Sequence, residues 1–170
     1  MYLFDSNAFI AASRLHYGFD LAPGFWEWIA KAELEGVAAS SVWVRKEIND
    51  GKKVDPSKPD LLKQWASEMR PSFWLGDSEG SVRALAEISL WTNQPEQIYK
   101  PSAIAEFLGS TDFQLIALAK ATGATIVTSE KSEPNSKKRV KIPDVCMAFD
   151  VAYADPFTAY RTLGLKLICP

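Results

Sequence analysis

Short apolar segments alternate with helical segments along this chain, and that alternation limits the folds open to it. The apolar run Tyr2-Leu3-Phe4 stops at the polar run Asp5-Ser6-Asn7. Much later, the helical pattern of residues 112–122 stops at Gly123 and leads into the apolar run 124–128. Strands that alternate with helices form a mainly parallel sheet covered by helices. The sequence therefore predicts an α/β protein with such a sheet at its centre.

The rest of the sequence predicts further strands and helices, and it shows no boundary between domains. Further strands are predicted over residues 37–39, 73–75, 146–151 and 165–168, and further helices over residues 8–15, 25–32, 41–48, 61–69, 79–91, 102–108 and 156–163. No internal repeat and no long linker interrupts the series. Residues 1–170 are therefore expected to form one domain, since this length suits a single core.

Composition and charge limit the kinds of catalytic and binding site that the chain can form. His16 is the only histidine, which excludes sites built from several histidines, including the paired histidines of some ribonucleases. Cys146 and Cys169 are too few for a zinc site with the usual number of thiolates. The formal net charge of -2 gives no overall positive field, so any contact with nucleic acid must depend on a local basic patch.

A cytoplasmic protein without membrane contact is expected. The first residues carry no basic segment ahead of their first acid, unlike a signal peptide. No apolar run approaches the roughly 18 residues that span a bilayer. Two cysteines in a chain of this size favour a reducing compartment.

Four acidic residues are predicted to meet at one rim of the sheet. Asp5 follows the first strand, and Glu130 follows the strand that ends at Thr128. Glu47 shares a helical stripe with apolar residues and is expected to face inward, and Asp112 lies in the first turn of a helix. Ligands of open parallel sheets bind beyond the carboxyl ends of the strands. These acids are therefore the candidate functional residues.

Crowded carboxylates repel one another unless a cation neutralises them. Because the chain offers oxygen donors rather than several histidines or thiolates, Mg²⁺ or Mn²⁺ is the expected ion, and such an ion suits phosphoryl chemistry. From the residues alone, simpler roles remain open for three of the acids: Asp112 as a helix cap, Glu47 in a surface ion pair with Lys46 or Arg45, and Glu130 as a loop acid beside Lys131.

Three stretches of the chain match motifs of a known family. They are residues 2–10, 41–48 and 111–119, which put an acid after a strand, on a helix and ahead of an apolar helix. Through them the chain resembles the PIN domain family over essentially its whole length, and particularly the VapC-like toxin ribonucleases of toxin–antitoxin pairs. The resemblance implies a three-layer α/β/α fold around a central sheet of about five strands.

The acids that the resemblance marks as catalytic metal ligands are Asp5, Glu47 and Asp112. The fourth motif departs from the family, in which Asp is usual at the position of Glu130 and a short loop follows. Here residues 131–141 form a longer basic loop, and Asp144 follows it as a further acid. Glu130 and Asp144 are therefore both candidates for the fourth ligand.

The implied activity is hydrolysis of RNA phosphodiester bonds with Mg²⁺ or Mn²⁺. A metal-activated water would attack in line, without a covalent enzyme intermediate. Ser6 and Asn7 would support the ligands as hydrogen-bonding neighbours. The basic side chains expected to hold backbone phosphates are Lys137, Lys138, Arg139 and Lys141. Lys52 and Lys53 are as well explained as part of a solvated loop.

The resemblance also implies protein partners. An antitoxin is expected in addition to the RNA substrate, and a homodimer is compatible with the sequence. Phe25, Trp26 and Trp28 would contribute to an antitoxin groove or a dimer face if they were exposed. Packing of their helix within the fold is the favoured interpretation.

Two other functions remain open. A phosphohydrolase of the haloacid-dehalogenase type would use Asp5 as its nucleophile, although such enzymes usually carry a second Asp where this chain has Asn7. A binding module that keeps the fold without a metal would also fit the altered fourth motif.

Overall fold

A sheet of five parallel strands forms the centre of the molecule in the computed structural model, which describes residues 1–52 and 57–168. The strands are β1 (Tyr2–Phe4), β2 (Ala38–Ser41), β3 (Trp74–Leu75), β4 (Thr125–Val127) and β5 (Tyr153–Ala154). Their order across the sheet is β3-β2-β1-β4-β5, and every neighbouring pair is parallel. Helices flank the sheet, and the three-layer α/β/α fold predicted from the sequence is confirmed.

Nine α-helices lie within the described ranges. They are α1 (Ser6–Ala11), α2 (Pro23–Leu34), α3 (Val42–Asp50), α4 (Leu61–Glu68), α5 (Glu79–Thr92), α6 (Pro101–Leu108), α7 (Thr111–Thr122), α8 (Ile142–Ala148) and α9 (Pro156–Thr162). A π-helical segment, Ala12–His16, continues α1, and a 3₁₀ helix, Pro71–Phe73, precedes β3. Within these ranges no helix is both long and apolar enough to cross a bilayer.

Local hydrogen bonds set the ends of the two helices that carry candidate site residues. At the start of α3, Ser41 Oγ accepts a hydrogen bond from the N–H of Val44 at 3.1 Å. At the start of α7, Ser110 Oγ accepts from the N–H of Phe113 at 3.3 Å. Gly123 ends α7 with a φ of 68°, a left-handed conformation that costs glycine little.

The sheet reverses its direction of growth at β1. The chain builds β1, β2 and β3 toward one edge and then adds β4 and β5 on the other side of β1. Phe4 pairs with Val127, so Asp5 and Thr128 follow the two adjacent strands side by side. Ligands of open α/β sheets bind beyond the carboxyl ends of the strands at such a reversal. The topology therefore puts Asp5 where a binding site is expected.

Aromatic side chains make up much of the core. The ring of Phe9, which is buried on α1, contacts four other rings at centroid separations between 5.0 and 6.5 Å. These four rings belong to Phe4, Trp65, Phe73 and Trp74. The contacts fasten α1 to β1, α4 and β3, and so fix the position of Asp5, which lies between β1 and α1.

The aromatic residues of α2 also pack inside the molecule. Phe25 and Trp26 are buried, and the half-buried Trp28 contacts Phe25 and Tyr160 of α9. Helix packing, the favoured interpretation of this cluster, accounts for these contacts.

The strand predicted over residues 146–151 is wrong. Residues 142–148 form α8, with Pro143 in its first turn, where proline favours a helix start. The fifth strand begins only at Tyr153. Cys146 is buried in α8, and burial raises the pKa of its thiol to about 12, which agrees with an inert core cysteine.

The strand predicted over residues 165–168 is also absent from the described part of the chain. The N–H of Leu165 bonds back to the carbonyl oxygen of Tyr160 at 2.9 Å, which ties this segment to α9 instead of to a strand. Cys169 lies outside the described residues.

Candidate active site at the reversal of the sheet

Asp5 is fully buried at the end of β1, and each of its carboxylate oxygens accepts a hydrogen bond. The hydroxyl of Ser6 donates to Oδ1 at 3.2 Å, and the hydroxyl of Thr128 donates to Oδ2 at 3.1 Å. Burial raises the pKa of Asp5 from 3.8 to about 6; the Thr128 hydrogen bond opposes this shift, and the charge of Glu47 adds to it. The carboxylate is therefore held in one orientation and lies close to a second negative charge.

Thr128 is a site residue that the sequence reasoning missed. Besides donating to Asp5, its Oγ1 accepts a hydrogen bond from the N–H of Glu130 at 3.2 Å. One buried hydroxyl thus connects two of the predicted acids. The only available signal was the position of Thr128 directly after an apolar strand, and many threonines with no role in a site share that position.

The two predicted neighbours of the ligands lie in different surroundings. Ser6 is buried and contacts the Asp5 carboxylate, as expected of it. Asn7 is exposed, and its side chain makes no hydrogen bond within the described residues.

Asp112 lies in the first turn of α7, close enough to the other acids of the site for their charges to affect its pKa. Burial raises the pKa of its carboxyl to about 7, and the charges of Asp5, Glu130 and Glu47 add to the shift, while Lys141 opposes it. The cap of α7 is Ser110, so Asp112 is not needed for capping. Its carboxylate has no hydrogen-bond or ion-pair partner among the described residues.

Glu47 does not face inward, and that prediction was wrong. The buried stripe of α3 consists of Val44 and Ile48, whereas Glu47 lies on the neighbouring stripe and is exposed. The surface ion pairs considered for it do not form, because Lys46 pairs with Asp50 and Arg45 donates to a backbone carbonyl of α4. Among the described residues the Glu47 carboxylate therefore has no partner, and its negative charge adds to the raised pKa values of Asp5 and Asp112.

Glu130 is tied to a cation. Lys141 Nζ lies 2.9 Å from its Oε1, and the N–H of Ile142 donates to its Oε2 at 2.9 Å. The Glu130 and Lys141 side chains are 19% and 12% exposed, so this is a largely buried ion pair. Glu130 is therefore more than a loop acid beside Lys131, and it anchors the end of the basic loop 131–141 to the site.

Asp144, the other candidate for the fourth ligand, is occupied elsewhere. It is buried at the start of α8, and its carboxylate accepts hydrogen bonds from the hydroxyl of Ser132 and from the N–H of Glu133. Together with burial, its charge raises the pKa of Tyr99. These contacts give Asp144 a structural role in the turn that begins the basic loop.

The predicted phosphate-binding residues divide into two kinds. Lys137, Lys138 and Arg139 are exposed and make no ion pair within the described residues, so their charges face solvent. Lys141 is paired with Glu130. Lys52 is exposed, and Lys53 lies outside the described residues.

The donor chemistry of the four acids fits a hard divalent cation. All four supply carboxylate oxygens, and a cavity of about 40 Å³ beside Asp112 and Glu130 has room for an ion or a water molecule. As the described side chains stand, no three His, Cys, Asp or Glu residues are gathered around one point that could hold a metal. Ligation therefore requires a side chain to turn inward, and the exposed Glu47 has no partner among the described residues that would hold it in place.

Together, the fold and the site define an α/β protein with a carboxylate centre at the reversal point of its parallel sheet. The chain belongs to the family described as domain of unknown function (DUF4411), whose model matches residues 2–167. Neither a curated protein nor a solved structure was found to match it.

Proposed function

We propose that the protein is a Mg²⁺- or Mn²⁺-dependent endoribonuclease of the PIN type, acting in the cytoplasm as the toxin of a toxin–antitoxin pair. The observation that carries this proposal is the burial of Asp5 and Asp112 close to further negative charge: besides burial, the charge of Glu47 raises the pKa of Asp5, and the charges of Asp5 and Glu47 raise that of Asp112. None of the three is ion-paired within the described residues. Bringing like charges together at a partly buried site is costly, and a bound divalent cation would offset that cost.

A bound ion would lower the pKa of a water molecule and neutralise charge on a phosphodiester. Ser6 and Thr128 hold Asp5 in a fixed orientation, which favours ligation. Asp112 must release its proton before its carboxylate can ligate, and its pKa near neutrality makes that release easy. The exposed Glu47 would supply a third carboxylate.

The surroundings of Asp5 support a ligand role over a nucleophilic one. Its side chain is fully buried, and both oxygens accept hydrogen bonds from hydroxyl groups. A small ion can approach such a carboxylate after a slight opening, whereas in-line attack on a phosphate needs an exposed oxygen. This argues against a phosphorylated Asp5 and hence against the haloacid-dehalogenase alternative.

The positive charge of the basic loop favours a polyanionic substrate. Lys137, Lys138 and Arg139 are exposed near the Glu130–Lys141 pair, and Arg139 lines the small cavity beside Asp112. Phosphates of a nucleic-acid backbone would meet these charges close to the carboxylates. The choice of RNA and of an antitoxin partner depends on the resemblance to the PIN family.

The test is cleavage of single-stranded RNA by the purified protein. Cutting should require Mg²⁺ or Mn²⁺, stop with a chelator, and be lost in Asp112→Asn and strongly reduced in Glu47→Gln. Asp20→Asn, a change at an exposed acid away from the site, should cut like the unaltered protein. Cleavage that survives the chelator or Asp112→Asn would overturn the proposal.

A further inference from the structure

A groove of about 600 Å³ opens beside Glu47, between α3 and the turn that joins α6 to α7. It lies next to the carboxylates of the candidate site, and Ser110 lines both this groove and the small cavity at Asp112. Its walls include the side chains of Trp43, Lys46, Glu47 and Asp50 on α3, and of Thr111 and Gln114 on α7.

Trp43 differs from the other tryptophans. The remaining five each contact another aromatic ring, whereas Trp43 has no such contact within the described residues. It is half-buried, and its indole N–H donates to no acceptor in the described part of the chain. Trp43 precedes Glu47 by one helical turn, so both side chains line the same wall. Its ring is thus available to a ligand beside the carboxylates.

Gln114 lines the α7 side of the same groove. Its side chain is half-buried, and its amide makes no hydrogen bond among the residues that the structure describes. By contrast, the amide of Gln64 is bonded to Glu68 at 2.8 Å. An unengaged amide offers two donor hydrogens and an acceptor oxygen. The hydroxyl of Thr111, at the edge of the same groove, is also unengaged within the described ranges.

The charge of the groove does not suit phosphate groups. Lys46 is paired with Asp50 at 2.9 Å, and Glu47 adds a negative charge that no cation neutralises among the described residues. A flat aromatic ring and an uncharged amide in the same groove suit a planar, neutral ligand with hydrogen-bonding edges. In proteins that bind RNA, unpaired bases stack on aromatic side chains and are read through their edges.

We propose that this groove is a nucleobase subsite, in which Trp43 stacks on an unpaired base and Gln114 hydrogen-bonds to its edge. The proposal rests on the proposed ribonuclease function and names its substrate as single-stranded RNA. A base inside a duplex is already stacked and paired, so it cannot enter. Trp43 is then a substrate-binding residue, and Gln114 a specificity residue that selects the base beside the cleaved bond.

The test measures binding and cleavage separately. Fluorescence anisotropy measures the binding of a short, fluorescein-labelled single-stranded RNA of mixed sequence in the presence of Mg²⁺. All binding measurements use an Asp112→Asn background, which prevents cutting. Trp43→Ala should weaken binding by about tenfold or more, and Trp43→Phe should keep most of the affinity. Gln114→Ala should change the sequence preference of cleavage in the otherwise unaltered protein. Gln94→Ala, at an exposed glutamine, is the matched control, and thermal unfolding confirms that each variant is folded.

Each result supports or overturns the inference. Tight binding of the single strand and weak binding of the same strand annealed to its complement would support it. Unchanged binding by Trp43→Ala together with unchanged cleavage preference in Gln114→Ala would overturn it, even where RNA is still cut in a metal-dependent way. If the unaltered protein neither binds nor cuts RNA, the proposed function fails and this inference fails with it.

Discussion

The hydroxyl of Thr128 donates a hydrogen bond to Oδ2 of Asp5 at 3.1 Å and so joins the carboxyl ends of β1 and β4 at the candidate site. The backbone supports this link, because the N–H of Asp5 donates to the carbonyl of Val127 at 3.0 Å. On the other side of β1, the hydroxyl of Ser40 donates to the carbonyl of Phe4 at 2.6 Å. Asp5 is thus fixed from both neighbouring strands.

Thr128→Val should show what this hydrogen bond contributes. Valine keeps the shape of the side chain and removes the hydroxyl, so the Asp5 carboxylate loses a donor and the N–H of Glu130 loses its acceptor. The free energy of unfolding should fall by about 1–3 kcal/mol. The loss should be larger at about pH 8 than at about pH 5, because the lost donor bonds to the charged form of Asp5. Urea unfolding at the two pH values measures it.

Thr128→Ser is the control for that substitution. Serine keeps the hydroxyl and should retain most of the stability and most of the pH dependence. Equal stability of the valine variant and the unaltered protein at the higher pH would show that the hydrogen bond contributes nothing.

The metal-free protein should lose stability as the pH rises through the weakly acidic range. The folded-state pKa values of Asp5 and Asp112, about 6 and about 7, lie above their ordinary value of 3.8. The folded state therefore binds more protons than the unfolded chain between about pH 4 and pH 7, so stability falls across this window and levels off above it. Thermal unfolding with a chelator present, scanned over this range, measures the effect.

Asp112→Asn separates the contributions of the two carboxyls. Asparagine cannot ionise, so the variant should lose its share of the slope, and the decline should end nearer pH 6, the approximate pKa of Asp5. Asp20→Asn, at an exposed acid, should leave the profile unchanged. A stability that rises across the window in the unaltered protein would contradict the raised pKa values that burial and neighbouring negative charge give these two carboxyls.

Bound metal should oppose the loss of stability that the metal-free protein shows as the pH rises. Mn²⁺ should raise the melting temperature of the unaltered protein, and more so at about pH 8 than at about pH 5, because protons compete with the ion for the carboxylates. Asp112→Asn should be more stable than the unaltered protein without metal and should gain little when Mn²⁺ is added. Calorimetric titration of Mn²⁺ into both proteins measures the binding itself. A melting temperature that does not respond to Mn²⁺ would count against a metal site.

The sequence pattern was sufficient to predict an α/β fold with a mainly parallel sheet, because strands and helices each have their own periodicity and end signals. Two such end signals are Gly123, which ends α7 ahead of β4, and Asp5, which follows the last residue of β1. Residues 146–151 misled the reasoning, since a short apolar run fits a strand and a buried helix equally well. Pro143, just ahead of the run, was the signal that favoured the helix.

The candidate site was harder to predict than the fold, because it depends on contacts between distant segments. Asp144 and Glu130 look alike in the sequence, as acids on either side of a basic loop. Only the packing shows that Asp144 accepts hydrogen bonds from the turn at Ser132, while Glu130 pairs with Lys141. Glu47 was predicted to face inward because it shares α3 with the apolar residues Trp43, Val44 and Ile48. Only Val44 and Ile48 face the core, whereas Trp43 lines the groove together with Glu47.

The Glu130–Lys141 pair should act as a structural unit with a measurable coupling free energy. Lys141→Met would leave the Glu130 carboxylate largely buried, with the N–H of Ile142 as its only donor among the described residues. This should cost about 1–3 kcal/mol of unfolding free energy. Glu130→Gln should also lower stability, because the largely buried Lys141 ammonium loses its carboxylate partner, although the amide oxygen still accepts from Ile142. The double variant should be more stable than the sum of the two changes predicts, since neither change then leaves a charge unpaired. Urea unfolding of all four proteins completes the cycle, and simple additivity would mean that the pair contributes nothing to stability.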